Sequence, residues 1–160
     1  MIVEALAALQ DMALPSALRA SRWVYPVVNA GHIVGLALLF GAIVPLDLRL
    51  LGVWADRPIA PMARILVPVA LCGLALTVVC GLLLFSVHAV KYAGTTLFQV
   101  KLLLILAAIA NALLLRRAAD WTLAQVPEMA VNSPRLRLAG ALSLGLWLAV
   151  ILCGRFIAYL

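Results

Sequence analysis

The chain has 160 residues, of which 67% are hydrophobic and 11% charged, and its formal net charge is +6. Its mean hydropathy of +1.18 lies outside the range of soluble domains, which excludes a soluble globular protein. The basic residues flank apolar stretches, so the positive charge is expected to contact the anionic headgroups of a lipid bilayer. No motif for binding a nucleic acid is present.

The N-terminal segment, residues 1–22, mixes alanine and leucine with Glu4, Asp11 and Arg19, and Pro15 interrupts it. This composition predicts a short interfacial amphipathic helix that lies on the membrane surface. Because the segment lacks a basic start, it is a poor secretory signal.

Four apolar stretches occupy most of residues 23–160, and each is close to the roughly 20 residues that a helix needs to cross a bilayer. The predicted spans are residues 23–46, 65–87, 97–115 and 138–158. We therefore expect an all-α integral membrane protein, a four-transmembrane-helix bundle preceded by a short N-terminal interfacial helix.

The connections between the spans differ in charge. Those at residues 47–64 and 116–137 together hold seven arginines, which predicts that they face the cytoplasm. We accordingly predict a multi-pass protein of the bacterial inner membrane with periplasmic termini. The opposite orientation stays open if Lys101 and Arg155 extend to the outer face, because the basic residues are then more evenly divided.

Three spans carry an ionisable side chain near their outer ends. The helical rise places His32 roughly 7 Å below the outer boundary, and Lys101 and Arg155 at a similar depth. Such groups generally face a bundle interior or a watery cavity, so they are candidates for a functional site. Two simpler alternatives exist. Lysine and arginine can extend to the interface, and a histidine can hydrogen-bond a neighbouring helix.

The residues around His32 add to this site. Asn29, one turn earlier, could orient the imidazole, and Gly31 and Gly35 form a GxxxG pair that admits either another helix or a flat macrocycle. His88 lies at the end of the second span, where an interfacial position is the simpler interpretation. Its depth differs from that of His32 by roughly 12 Å, so a single histidine ligand fits better than a pair.

An inward imidazole, glycine grooves and cations near the rim are the parts that a b-type haem needs. We predict haem b, with His32 as the metal ligand. The predicted cofactor-binding residues are His32, Lys101, Arg155, Asn29, Gly31, Gly35 and His88. Zinc or copper would need three or four converging ligands, which two histidines without an intramembrane acid do not provide.

The function that this pattern favours is redox exchange with a quinone or porphyrin-like partner near the outer face. Whether the protein is an enzyme stays open. A second hypothesis is a non-enzymatic role, as an accessory subunit of a larger membrane complex or as a homo-oligomer. A third is transport of protons or metal ions, which would need a polar path beyond the middle of the membrane. The sequence offers little such path apart from Asn111 and Thr77.

Two further sets of polar residues have structural interpretations. Asp47 and Arg49, in the string DLRLLG, are expected to anchor the inner end of the first span to headgroups, with an ion pair to Arg116 or Arg117 as the alternative. Asn111, deep in the third span, is expected to form a hydrogen bond between helices.

Three strings carry a resemblance to a known family. They are WVYPVVNAGHIVGLALLFGAIVPLDLRLLGVW at residues 23–54, GLLLF at 81–85 and LFQVKLLLILAAIANA at 97–112. Over about the first three quarters of the chain, they resemble an uncharacterised bacterial family of four-span membrane proteins. That family is distantly similar to the CopD-type copper-resistance membrane domain and to the HemJ-type protoporphyrinogen oxidase. The resemblance implies that His32 corresponds to the haem-associated histidine of HemJ-like proteins and Lys101 to their span-three lysine.

Overall fold

The computed structural model describes residues 1–126, 133–157 and 159, and every regular element in these ranges is a helix. Residue 158, the predicted end of the fourth span, lies outside the described residues. The helices are, in chain order, α1 (Ile2–Gln10), α2 (Ala13–Ala20), α3 (Val24–Leu51), α4 (Ile59–Val87), α5 (Ala89–Ala93), α6 (Thr96–Arg116), α7 (Ala119–Ala124) and α8 (Pro134–Ile157).

Four of these helices, α3, α4, α6 and α8, are long and apolar enough to cross a membrane. This confirms the predicted all-α, four-span bundle and a multi-pass membrane protein. We call the end of the bundle where α3 begins and α8 ends the terminal end. The opposite end, where α3 and α6 end, is the loop end.

The N-terminal segment forms two short helices where the sequence predicted one. The chain turns after α1, at Asp11 and Met12, and not at Pro15. Pro15 instead lies in the first turn of α2, where backbone N–H groups have no helical partner and a proline costs no hydrogen bond.

Arg19 fixes these two helices to the terminal end. Its Nη1 donates a hydrogen bond to the Val87 carbonyl (3.2 Å), and its Nη2 donates one to the Gln10 carbonyl (2.6 Å). Val87 is the last residue of α4 and Gln10 the last of α1, so one guanidinium serves carbonyls at two helix ends. The side-chain oxygen of Gln10 also accepts a hydrogen bond from the Val90 backbone N–H of α5 (2.8 Å).

Helices α3 and α4 make the closest contact in the bundle, and glycines allow it. A Cβ atom on Gly35 would lie 2.5 Å from Thr77 Oγ1, and one on Gly73 would lie 2.8 Å from the Gly35 carbonyl oxygen. A Cβ on Gly31 would lie 3.0 Å from Cys80 Sγ. The GxxxG pair therefore faces another helix, which is the first of the two alternatives that the sequence left open.

Helix α8 packs on both α3 and α6, and it therefore links α6 to the pair formed by α3 and α4. Asn111 Nδ2 of α6 donates a hydrogen bond to the Ala139 carbonyl of α8 (2.9 Å), which confirms the predicted hydrogen bond between helices. Across the described ranges, the backbones of α4 and α6 stay apart. Side chains of the two helices meet at the terminal end, where Phe85 stacks on Phe98, so close helix packing does not close the rest of this edge of the bundle.

Buried apolar side chains from three helices meet at mid-bundle and separate its two ends. We call this group the central cluster; it consists of Leu39, Ala108, Trp147 and Val150. Trp147, near the middle of α8, is thus part of ordinary helix packing.

Helix α3 continues beyond its predicted end because its last turns are buried in protein. Asp47 is only 5% exposed and Arg49 only 1% exposed, so neither lies on the outer surface of the bundle, where the sequence predicted that they would anchor the helix to headgroups. Arg49 donates hydrogen bonds to the carbonyls of Arg57 and Ala55, and so holds the loop that follows. Gly52, with a φ of 107°, ends the helix in the left-handed conformation that glycine adopts without strain.

The contact between α3 and α4 can be tested with Gly73→Ala, compared with Gly41→Ala as a control. The added methyl group at residue 73 overlaps the backbone of α3, whereas nothing lies within 4 Å at residue 41. We expect Gly73→Ala to lower the free energy of unfolding by about 1–3 kcal/mol. Thermal unfolding of the detergent-purified protein, followed by circular dichroism, measures the difference. Equal stability of the two variants would contradict the packing described above.

Candidate ligand-binding site

A cavity of about 310 Å³ lies at the terminal end of the bundle, and we call it the terminal-end cavity. Helices α3, α4, α5, α6 and α8 all contribute to its walls. The lining residues are Tyr25, Asn29, His32, Gly81, Leu84, Phe85, Tyr92, Phe98, Lys101, Gly154 and Ile157. The structure thus places His32, Lys101 and Asn29, three of the residues predicted from the sequence, on one cavity.

His32 is half-buried, and the backbone of α4 determines its orientation. The distance from its Nδ1 to the Thr77 carbonyl oxygen is 2.9 Å. Because a carbonyl can only accept, Nδ1 carries the proton in this hydrogen bond and donates it. The other ring nitrogen, Nε2, then has a free lone pair when the ring is neutral, and it makes no hydrogen bond within the described part of the chain.

Gly81 makes room for this arrangement. It lies four residues after Thr77, so a side chain at this position would stand beside the Thr77 carbonyl. A Cβ atom on Gly81 would lie 3.1 Å from Cε1 and 3.4 Å from Nδ1 of His32. Glycine at residue 81 therefore lets the imidazole lie directly against α4.

Lys101 enters the cavity from α6, opposite a second glycine. A Cβ atom on Gly154 of α8 would lie 3.4 Å from Lys101 Nζ and 3.8 Å from its Cε. The side chain is partly buried, and its ammonium makes no hydrogen bond or ion pair with any residue that the structure describes. Lys101 thus brings a positive charge with free N–H donors to the cavity.

Aromatic rings form one side of the cavity. Phe85 and Phe98 stack with their ring centroids 5.2 Å apart, and Tyr92 stacks on Phe98 at 6.0 Å. Burial, with a smaller contribution from Tyr25, raises the pKa of Tyr92 above its usual value. Tyr92 therefore stays a neutral phenol at physiological pH, and the cavity has a flat, uncharged wall next to its polar groups.

The other predicted residues lie outside this cavity. Arg155 is exposed, donates a hydrogen bond to the Tyr159 hydroxyl, and lies with its Cζ 4.8 Å from the centre of the Tyr159 ring. His88 is exposed at the end of α4 and contacts Tyr92 edge to face at 6.3 Å. Gly31 and Gly35 face α4, as described above.

Asn29 lines the cavity, but the Thr77 carbonyl, and not Asn29, holds the imidazole of His32. The side chain of Asn29 makes no hydrogen bond to any residue in the described ranges. Its amide is therefore a further polar group that faces the cavity without a protein partner.

Part of the cavity could have been read from the spacing along α3. Tyr25, Asn29 and His32 lie at positions i, i+4 and i+7, which is one face of a helix. Phe98 and Lys101 lie one turn apart on α6 in the same way. No comparable signal marks Gly81 and Gly154, because their role depends on which side chains lie opposite them in the folded bundle.

The haem predicted from the sequence fits this site only in part. A histidine whose Nδ1–H is held by a carbonyl is well oriented as an axial ligand through Nε2. His32 lies against Gly81 with its Cε1 and Nδ1 side, so a macrocycle could approach only at Nε2. The cavity volume is also near the lower limit of roughly 300–1,000 Å³ found for small-molecule pockets. The site therefore offers an oriented ligand for iron but limited space for a porphyrin.

The described residues also form no site for a metal ion bound by side chains alone. In residues 1–126, 133–157 and 159, no group of three or more His, Cys, Asp and Glu side chains could hold one.

Comparisons with models of protein families, with curated proteins and with solved structures give no match to this chain. The resemblance to the four-span family therefore stays a prediction.

The orientation of His32 can be tested by ¹⁵N NMR of histidine-labelled protein in a His88→Gln background, where one histidine remains. We expect the neutral ring to carry its proton on Nδ1. Gly81→Ala should displace the ring and weaken its hydrogen bond, because the new methyl group would lie 3.1 Å from Cε1. Gly145→Ala, at a position with nothing within 4 Å, is the control and should leave the spectrum unchanged. A proton on Nε2 in the unsubstituted site would contradict this geometry.

Proposed function

We propose that the terminal-end cavity binds the ring of a quinone or quinol, and that the protein has a redox role in the bacterial inner membrane. One observation carries this proposal: His32 and Lys101 line the same aromatic-walled cavity, and neither Nε2 nor Nζ has a protein partner in the described part of the chain. The cavity volume suits a single ring, and a membrane-soluble ligand can reach a site between transmembrane helices.

The two polar groups complement the two states of such a ring. The lone pair on His32 Nε2 accepts a hydrogen bond from a quinol hydroxyl, whereas the Lys101 ammonium donates to a quinone or quinolate oxygen. Phe85 and Phe98 offer a flat surface against which the ring can stack.

Oxidation of a quinol releases two protons and two electrons. His32 can accept the first proton at Nε2, because its Nδ1–H stays hydrogen-bonded to the Thr77 carbonyl. The second proton passes to water at the mouth of the cavity, and the two electrons pass one at a time to a metal centre of a partner protein in the membrane. No step is assigned to haem.

The central cluster is a reason to prefer ligand binding to transport. Its four buried apolar side chains lie on the inner side of the cavity, where a path for protons or ions would need polar groups. Transport therefore has less support than it had from the sequence.

We also propose that the protein lies in the membrane with its arginine-rich loop end in the cytoplasm and its termini in the periplasm. The cavity then opens near the periplasmic face. Reporter fusions at the two ends of the chain would test this placement.

Binding can be measured by titrating the detergent-purified protein with a short-chain benzoquinone and following tryptophan fluorescence. We expect His32→Ala and Lys101→Met each to weaken binding about tenfold, since each removes a hydrogen bond that involves a charged or desolvated group. His88→Gln and Lys91→Met remove the same residue types outside the cavity and should bind as the unsubstituted protein does. Equal affinity in all variants would refute the assignment, and no binding at all would favour a non-enzymatic subunit.

A reduced-minus-oxidised optical spectrum of the same preparation separates this proposal from a haem protein. We expect no haem bands, because the volume of the terminal-end cavity is near the lower limit for small-molecule pockets. Stoichiometric b-type bands that disappear in His32→Ala would show that the bundle opens to admit haem, and would replace the quinone proposal.

A further inference from the structure

A second cavity, of about 200 Å³, lies at the loop end between α3, α4, α6 and α8. We call it the loop-end cavity. Its walls are mainly aliphatic and extend to Leu39, Ala108 and Trp147 of the central cluster. The polar residues on its walls are Asp47, Ser143, Asn111 and Arg116. It is separate from the terminal-end cavity and shares no lining residue with it.

Asp47 is the unusual group in this cavity. It is 5% exposed, and its carboxylate accepts a hydrogen bond from Ser143. Its second oxygen, Oδ2, is buried without a hydrogen-bond partner in the residues that the structure describes. A buried carboxylate with an unpartnered oxygen is costly, so a donor or a cation from outside the chain would stabilise it.

The neighbouring side chains do not supply that partner. Asn111 Nδ2 already donates to the Ala139 carbonyl. Arg116 lines the same cavity, but the described residues contain no ion pair between Asp47 and either Arg116 or Arg117, so the contact expected from the sequence is not made. The cavity therefore has an acidic and a basic side chain on its walls, and the two form no ion pair with each other.

A ligand that complements this cavity has a cationic donor, an anionic group close to it, and an apolar chain. We propose that the loop-end cavity binds a zwitterionic aminophospholipid of the phosphatidylethanolamine type. Its primary ammonium donates to Asp47, its phosphate lies at Arg116, and part of an acyl chain fills the aliphatic region up to the central cluster. The polar groups lie near the loop-end termini of α3 and α6, which is where a headgroup would lie.

The bundle offers such a lipid a lateral entrance. The backbones of α4 and α6 stay apart, and both helices contribute to the cavity walls. Leu71 of α4 and Leu113 of α6 line the cavity and are also 53% and 51% exposed, so its apolar wall continues to the outer surface of the bundle. An acyl chain could enter from the bilayer along this edge without leaving an apolar environment.

Headgroup chemistry distinguishes this site from a general affinity of the arginines for lipid phosphate. Phosphatidylglycerol has the phosphate but no ammonium. Phosphatidylcholine has a cationic nitrogen without N–H groups, so it cannot donate a hydrogen bond to Asp47. Of these three headgroups, only ethanolamine satisfies both Asp47 and Arg116.

Native mass spectrometry of the full chain in detergent, titrated with these three lipids bearing identical acyl chains, tests the proposal. We expect phosphatidylethanolamine to bind about tenfold more tightly than either of the others, as one charge-assisted hydrogen bond would give. Equal binding of all three lipids, or a preference for phosphatidylglycerol, would overturn the proposal. This comparison uses the unsubstituted protein and does not depend on how any variant folds.

Two pairs of variants then test which side chains produce the preference for phosphatidylethanolamine. Asp47→Asn should abolish the preference for ethanolamine, whereas Asp56→Asn, at an exposed aspartate of the same end, should retain it. Arg116→Gln should weaken binding of the lipid, whereas Arg117→Gln should not, because Arg117 does not line the cavity. A preference that survives Asp47→Asn would overturn the assignment of the ammonium to Asp47. The test uses no quinone, so its result is independent of the proposed redox role.

Discussion

The close approach of α3 to α4 is the contact on which the terminal-end cavity depends. Gly35 and Gly73 bring the two backbones together, and two turns further along Gly81 leaves the Thr77 carbonyl accessible. His32 reaches that carbonyl only because the helices are this close. In a bilayer, the lipid tails are as apolar as the helix surfaces, so two helices gain little free energy from burying apolar side chains against each other. Small residues and interhelical hydrogen bonds must therefore supply the specificity of packing. Here the same glycines that pack the helices also orient the imidazole.

The bundle has two cavities of different chemistry, one on each side of the central cluster. The terminal-end cavity has an imidazole and an ammonium beside aromatic rings, whereas the loop-end cavity has a carboxylate in an aliphatic surround. Ionisable side chains are tolerated best near the ends of membrane helices, which explains why mid-bundle contains Leu39 and Trp147 instead. The two ligands that we propose, a quinone ring and an aminophospholipid, would therefore bind at opposite ends of one small protein and would not compete.

Hydropathy and spacing predicted much of this architecture. The four spans, the hydrogen bond of Asn111 and the presence of His32 and Lys101 at a similar depth all followed from the positions of apolar and polar residues. Depth alone, however, did not say which way a side chain points. Arg155 was placed at the depth of His32, yet it lies on the outside of the bundle beside Tyr159. Asp47 was assigned to the headgroups because it follows an apolar run, yet α3 continues past it and buries it.

The sequence by itself determined the class of protein, the number of spans and the residues that could carry chemistry, because each of these depends on the local order of apolar and polar side chains. Only the tertiary structure decided that Gly31 and Gly35 serve helix packing, that Gly81 and Gly154 make room for His32 and Lys101, and that Asp47 faces a cavity. These roles are set by the rotation of each helix about its axis and by the neighbour opposite. Both are properties of pairs of helices, and the order of residues within a single span does not contain them.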